Sequence, residues 1–389
     1  MITFLTNIPT PYRTAFFDTA SAIAREAGTA LSVLYCAETE AHRSWPFDPE
    51  AMRHNFEVLP GWSPRVRGIT FHLNPSAPRR IRALGTKLLI CAGAWNTPTI
   101  MQMVLKRPIA GLPTLFWSEG HEDAVNFSSG PVPALRRRVM RCFDGFVVPN
   151  ARSAEWANAQ VGEMKPVIHL PNLIEEECFR IDDRSRHAAR QEARAELGLE
   201  QIGIGPDDRV LLQVGRLEMR KGALELADAF LKRDDRDGAR LIFVGSGSLE
   251  SELRLRASAS GGALIVAGEA DMYTVRQYLR AADVFVLNTL QDPNPLTPIE
   301  AAFSQLPLVL SARAGNVNEI IIDGRTGVRI VDPLEPHDGL DWALRSSDAE
   351  ITDASTAALE HVTAAFSRKA AATAFITCAL DFVAARQPA

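Results

Sequence analysis

The feature that most restricts this chain is an alternation of short apolar runs with longer amphipathic stretches, and it occurs twice. In the first half the runs are "ITFLTN" (2–7), "LSVLYCA" (31–37), "KLLICAG" (87–93), "TLFWSE" (114–119) and "GFVVPN" (145–150). In the second they are "RVLLQVGR" (209–216), "ARLIFVGSG" (239–247), "ALIVAG" (263–268), "VFVLNTL" (284–290) and "LPLVLS" (306–311). Runs this short and this continuously apolar suit strands buried on both faces, with crossover helices between them. "YRTAFFDTASAIAREAG" reads as one such helix, stopped by Gly28, and a second is expected from about Lys221 to Lys232. The expectation is an α/β chain of two Rossmann-like, doubly wound domains facing each other across a cleft. The charged, Ala-rich tract 182–201 carries no strand signal, although "ARAELGL" within it reads as a helix. The domains are therefore set at 1–182 and 183–365, with a closing helix over 366–389 packing back toward the first domain.

Composition narrows the partners. A net charge of −5 over 389 residues, with a pI near 6.0, argues against a nucleic-acid binder. The five cysteines (Cys36, Cys91, Cys142, Cys178, Cys378) are scattered and odd in number. They suit reduced thiols in the cytoplasm better than a disulfide framework or a zinc site. "MITFLTNIPTPYR" lacks a basic start before its apolar run and reads as a first strand, and no apolar run is long enough to span a membrane.

In open parallel sheets ligands sit outside the carboxyl ends of the strands, and the unusual residues of this chain gather at those ends. Arg216 closes one strand and Lys221-Gly222 opens the next helix. Two cations beside a helix N-terminus suit a diphosphate; the plain alternative is a pair of solvated surface charges. Gly245 and Gly247 follow another strand, but Glu250 stands where a dinucleotide fingerprint needs its third glycine. A tight turn and close ligand approach both remain open there. The "DRD" at 235–237 reads as an ordinary loop.

The segment "QDPNPLTPIEA" (291–301) sets Asp292 and Glu300 across a stiff stretch. Thr297-Pro298-Ile299-Glu300 reads as a capped helix start, with Glu300 closing a capping box; the other reading has both acids facing a ligand. Pro293, Pro295 and Pro298 have no N–H to offer, which leaves the amides of Asn294, Leu296 and Thr297 for sugar or phosphate. Thr10 and Pro11 read as another N-cap and first helical position, followed by Tyr12 and Arg13.

Together "VGRLEMRKG" (214–222), "QDPNPLTPIEAAFSQLPLVLS" (291–311), "GNVNE" (315–319) and "DGRTG" (323–327) resemble the retaining glycosyltransferases of family 4, which have the GT-B fold. "VIHLPNLIEEECF" (167–179) is similar to the family's crossing between domains, and "NIPTPYRTAFFDTA" (7–20) to the loop of members with sugar-polymer acceptors. The resemblance implies a nucleotide-sugar donor on the C-terminal domain and a glycan, lipid-linked or small-molecule acceptor on the N-terminal one. It implies that Arg216 and Lys221 hold the diphosphate, that Glu300 takes the ribose hydroxyls, and that Asp292 and His121 reach the donor sugar. Gly245, Gly247 and Gly268 would line the base side; Thr10, Tyr12 and Arg13 would serve the acceptor or a phosphate. Fixed cations and helix N-termini would stabilise the leaving group, so neither a metal nor another cofactor is expected. Glu119 reads as the better nearby base, although transfer of this kind is thought to need no conventional one.

The chain departs from the family in having Asp292 in place of the first Glu and "PNP" in place of the usual "PFG". These departures leave the donor sugar open and support one rival, a non-catalytic relative that binds nucleotide or a protein. A Rossmann-type oxidoreductase is the other rival, without a complete glycine fingerprint. Arginines in "SAPRRIRALGTK" (76–87) and "PALRRRVMRCF" (133–143) raise a further expectation, contact with anionic lipid at the inner face of the membrane. In the second stretch Leu135, Val139 and Phe143 are expected on one helical face, with the arginines outside it.

Overall fold

The computed structural model describes residues 1–40, 47–66, 69–105, 109–121, 130–181 and 185–386. The chain divides into two compact units, Met1–Leu173 with Arg368–Ala389, and Ile174–Ser367.

In the first unit the elements are β1 (Ile2–Thr6), α1 (Pro11–Glu26), β2 (Leu31–Tyr35), β3 (Asn55–Val58), β4 (Arg65–Val66), β5 (Ile69–Thr70), α2 (Ala77–Ala83), β6 (Leu88–Ala92), α3 (Pro98–Leu105), β7 (Thr114–Trp117), α4 (Pro131–Arg141), β8 (Gly145–Val148), α5 (Ala151–Val161) and β9 (Val167–His169). Seven strands form one parallel sheet in the order β3-β2-β1-β6-β7-β8-β9. Because side chains alternate across a strand, its two faces feed two cores. Phe4, Val33, Ile90, Leu115 and Val147 point to one. Leu5, Leu34, Leu89, Phe116 and Phe146 point to the other.

The second unit holds α6 (Arg186–Glu196), β10 (Arg209–Val214), α7 (Ala223–Leu231), β11 (Ala239–Val244), α8 (Glu250–Ala259), β12 (Leu264–Gly268), α9 (Met272–Ala281), β13 (Val284–Leu287), α10 (Thr297–Phe303), β14 (Leu308–Ser311), α11 (Val317–Ile320), β15 (Gly327–Ile330), α12 (His337–Arg345) and α13 (Asp348–Phe366). Its six-stranded parallel sheet has the order β12-β11-β10-β13-β14-β15. The last helix, α14 (Arg368–Ala384), belongs to the first unit. There Phe375, Ile376, Ala379 and Phe382 join the same core as Phe4, Phe16 and Trp117.

Several expectations change. The boundary falls at 173/174 and not 182/183, because Ile174 and Phe179 pack into the second unit's core. The other falls at 367/368, since the terminal helical stretch breaks at Ser367 into α13 and α14. On α4 the buried face is Pro133, Arg136, Val139 and Met140, while Leu135 is 42% exposed. Arg136 goes inside because its guanidinium lies 5.8 Å over the Trp156 ring and donates to Gln160 Oε1 at 3.2 Å. Leu135, set one residue out of that face, is turned to solvent. Among the described residues no helix is long and apolar enough to cross a membrane.

Candidate functional site

All strands of the second sheet run parallel, so the loops that follow them gather at one edge. Build-up of the sheet reverses between β10 and β13, which opens a crevice where α/β sheets take ligands. Lys221 arrives there after β10 and Asp292 after β13, and Nζ of the lysine pairs with Oδ2 of the aspartate. Their side chains are only 12% and 10% exposed.

The backbone fixes this pair. Gly222 has φ of +62°, and a Cβ there would lie 2.0 Å from the Asn288 carbonyl oxygen, so only glycine lets the two loops close. Asn288 is fully buried and donates to the carbonyls of Gly222 (3.0 Å) and Pro333 (2.8 Å). The Arg220 carbonyl accepts from Thr289 Oγ1 (2.9 Å) and from the N–H groups of Leu290 (2.9 Å) and Gln291 (3.0 Å). Beyond Asp292, the Gly315 N–H donates to the Asp292 carbonyl (2.8 Å) and Asn316 Nδ2 to the Pro295 carbonyl (2.8 Å). The Asn294 N–H turns back to Asp292 Oδ1 at 3.4 Å.

The two readings of Glu300 now separate. The N-cap of α10 is Leu296, with no side-chain cap, and the Glu300 N–H donates to the Leu296 carbonyl at 3.1 Å. Thr297 is thus the first helical residue and the capping box does not form. Glu300 is half-buried, with no ion pair or side-chain hydrogen bond among the described residues. Burial pushes its carboxyl from 4.5 up to about 7. Leu296 and Thr297 stand at the start of the same helix, whose first N–H groups have no intrahelical acceptor.

Arg216 lies at the rim, 64% exposed, and donates to Glu218 at 3.2 Å while Arg220 donates to the same carboxylate at 3.0 Å. Bonds from Arg220 and then Arg216 hold that carboxyl below its usual range. Gly245 and Gly247 serve the turn: a Cβ on either would lie 1.9 Å from the Gly215 carbonyl oxygen or 2.4 Å from that of Leu217. Gly268 has φ of +84° and accepts the Gly245 N–H at 2.7 Å. The "DRD" stretch is a surface loop in which Asp235 pairs with Arg233 and Arg345. Glu218, Arg220, Asn288 and Asn316 shape the site without having been singled out in the sequence. Asn288, a polar residue ending an apolar strand, is the one with a visible signal.

In the first unit the corresponding edge carries Thr10, Arg13, Glu119 and His121. Thr10 is the N-cap of α1 with Pro11 first in the helix, but its side chain makes no capping bond. The side chain of Tyr12 lies outside the described residues. Arg13 donates to Glu119 Oε1 at 2.8 Å and lies 4.6 Å over the Trp117 ring. Glu119 is therefore the partner of a cation. His121 is 2% exposed.

Comparison with known proteins fits this arrangement. The family described as Glycosyl transferases group 1 matches residues 197–350, which span β10, β13 and both members of the buried pair. Across the whole chain, the structure of Anabaena Alr3699/HepE in complex with UDP superposes with a TM-score of 0.68 at 16% identity, covering 98% of this chain and 99% of that one. The chain has the GT-B fold. Among curated relatives of this GT-B chain, the putative teichuronic acid biosynthesis glycosyltransferase TuaC of Bacillus subtilis is 28% identical over 40% of this chain and 40% of its own length. Glycogen synthase of Mycobacterium tuberculosis (strain CDC 1551) is 33% identical over 65% of this chain and 60% of its own length. The chain therefore spans less than two thirds of the curated relatives that it matches.

Proposed function

We propose that this GT-B chain is a retaining glycosyltransferase of the family 4 type. It moves a sugar from a nucleoside diphosphate to a hydroxyl of a glycan, glycolipid or small-molecule acceptor, in the cytoplasm and without a metal. The observation that carries this reading is the Lys221–Asp292 pair at the switch point of the second sheet. An ammonium has three donors, so Lys221 keeps Asp292 while offering N–H groups to a diphosphate oxygen. Arg216, already at the rim, supplies the planar fork that suits a phosphate. Charge growing on the leaving diphosphate then meets fixed cations, which need little reorganisation as the bond breaks. Glu300 takes ribose hydroxyls, and Asp292 sets the donor sugar. That UDP is bound by the structurally similar Alr3699/HepE supports a nucleoside diphosphate as the ligand here.

The test is calorimetric titration of uridine, guanosine and adenosine diphosphates into the parent and into a Lys221→Met, Asp292→Leu double variant. One diphosphate should bind the parent and lose at least about tenfold in affinity in the variant, as expected when a charge-assisted contact is removed. Equal affinity in both proteins would remove Lys221 from the site.

A further inference from the structure

At the amino edge of the second sheet, at the far end from the Lys221–Asp292 crevice, lies a cavity of about 470 Å³. Arg209, which opens β10, Asp283, which precedes β13, and Gln305, which precedes β14, line it together with the first turns of α6 and α13. The volume falls within the roughly 300–1,000 Å³ of small-molecule sites. Since β10 runs six residues, the cavity lies roughly 20 Å from the carboxyl end of that strand. Three guanidinium groups gather there at one carboxylate. Asp283 Oδ2 accepts from Arg194 at 2.8 Å and from the Val210 N–H at 2.7 Å, and Arg190 donates to its Oδ1. Arg186 donates only to backbone carbonyls among the described residues, including those of Gln305 (3.3 Å) and Leu279 (3.4 Å). Desolvation pushes Arg186 down to about 10, against the pull of Asp283 and with the repulsion of Arg190 and Arg194. The other carboxylates do not make up the difference. Asp208 is held by Arg240 at 3.0 Å, fully exposed Asp348 by Arg209 at 2.8 Å, and Asp207 stands in solvent.

Two side chains at the cavity have unused hydrogen-bonding groups. Arg190 Nε is buried with no partner among the described residues, and Nη2 of the same side chain meets only His187 Nδ1, at 3.3 Å. Gln305 makes no side-chain hydrogen bond among the described residues, and its φ of +57° is the one left-handed value there outside glycine. It closes α10, donating its N–H to the Ala302 carbonyl at 3.0 Å while the Leu306 N–H donates to that of Ala301 at 3.0 Å. Glycine or asparagine is the ordinary residue for such a turn, and strain of this kind is kept where the side chain has a use. On α13, Thr352 and Ser355 donate to the carbonyls of Asp348 (2.7 Å) and Ile351 (2.8 Å), which leaves their lone pairs to accept from a ligand's hydroxyl groups. We propose that this cavity binds a small phosphate-bearing polyol of the sugar-phosphate class. Its phosphate lies against Arg190, with Arg186 adding charge, and its hydroxyls meet Gln305, Thr352 and Ser355. A ligand at the amino edge does not displace one at the carboxyl edge, so this site stands whether or not the crevice there serves sugar transfer.

The full chain is titrated calorimetrically with glucose 6-phosphate and glycerol 3-phosphate, and with inorganic phosphate, sulfate and glucose as controls. At least one of the two polyol phosphates should bind the parent more tightly than inorganic phosphate, and glucose should not bind. Arg190→Gln should weaken that binding about tenfold or more, the scale of one charge-assisted contact. Gln305→Gly should weaken it as well, with a thermal midpoint at or above the parent's, because glycine relieves the left-handed backbone. That variant separates lost binding from lost folding. The Lys221→Met, Asp292→Leu variant should bind the polyol phosphate as the parent does. Absence of binding by the parent, or unchanged affinity in both Arg190→Gln and Gln305→Gly, overturns the proposal. Binding lost in the Lys221→Met, Asp292→Leu variant overturns it by placing the anion in the crevice at the carboxyl edge. Equal affinity for phosphate, sulfate and the polyol phosphates overturns it in favour of an adventitious ion only.

Discussion

Lys221 and Asp292 are each other's main solvent in the second unit, and this governs what their replacement does. Removing the lysine alone leaves a nearly buried carboxylate without its cation, so Lys221→Ala should cost about 3 kcal/mol of stability in urea unfolding. Adding Asp292→Leu to Lys221→Met should recover most of that, because an apolar pair of similar volume avoids the desolvation cost of two charges. A double variant as unstable as Lys221→Ala would contradict the buried-pair account. Glu300 carries a pH signature. Its carboxyl ionises near 4.5 in the unfolded chain and near 7 in the folded one. Between those values the unfolded state loses its proton first, so stability falls as pH rises from about 4.5 to 7 and is level above. Relative to Glu300→Gln, the parent should lose ~2 kcal/mol across that window, and parallel pH profiles would refute the assignment. At this scale residue types and chain positions were legible in the sequence. Pairing was not: whether Glu300 capped a helix or faced outward depended on the helix starting one residue earlier than its prolines suggested.

Elements were easier to read where burial is uniform. Strands apolar at nearly every position could only be interior strands of a parallel sheet, and they form where expected. Amphipathic elements were harder, since periodicity gives a stripe but not the partner that covers it. In α4 a cation–π contact and a hydrogen bond draw Arg136 inward at the expense of Leu135. Loops are governed by backbone approach, which a sequence shows only as glycine. Gly315 is the sharpest case: a Cβ there would lie 1.8 Å from the Pro293 carbonyl oxygen. Gly315→Ala should therefore displace the Pro293–Pro295 segment and cost about 2 kcal/mol or more, read by thermal unfolding. A midpoint equal to the parent's would show that the loops are not locked together.

On the scale of the whole molecule, each unit has its own sheet and its own pair of cores, and the chain returns to the first unit only through α14. That return was legible as a terminal helical segment, while the break at Ser367 was not, because alanine-rich sequence favours helix on both sides of it. Two sheets, one with a buried cation–carboxylate pair at its switch point, give the chain a donor-binding half and an acceptor-binding half on the reading proposed here. Turnover by the intact chain tests that reading most directly. The purified protein would be incubated with uridine, guanosine and adenosine diphosphate sugars, and slow release of free nucleoside diphosphate followed by mass spectrometry. The account predicts release from one sugar donor, abolished in the Lys221→Met, Asp292→Leu variant. Tight binding of a nucleoside diphosphate with no release from any donor, across a broad panel of acceptors, would contradict it and mark the chain as a binding protein.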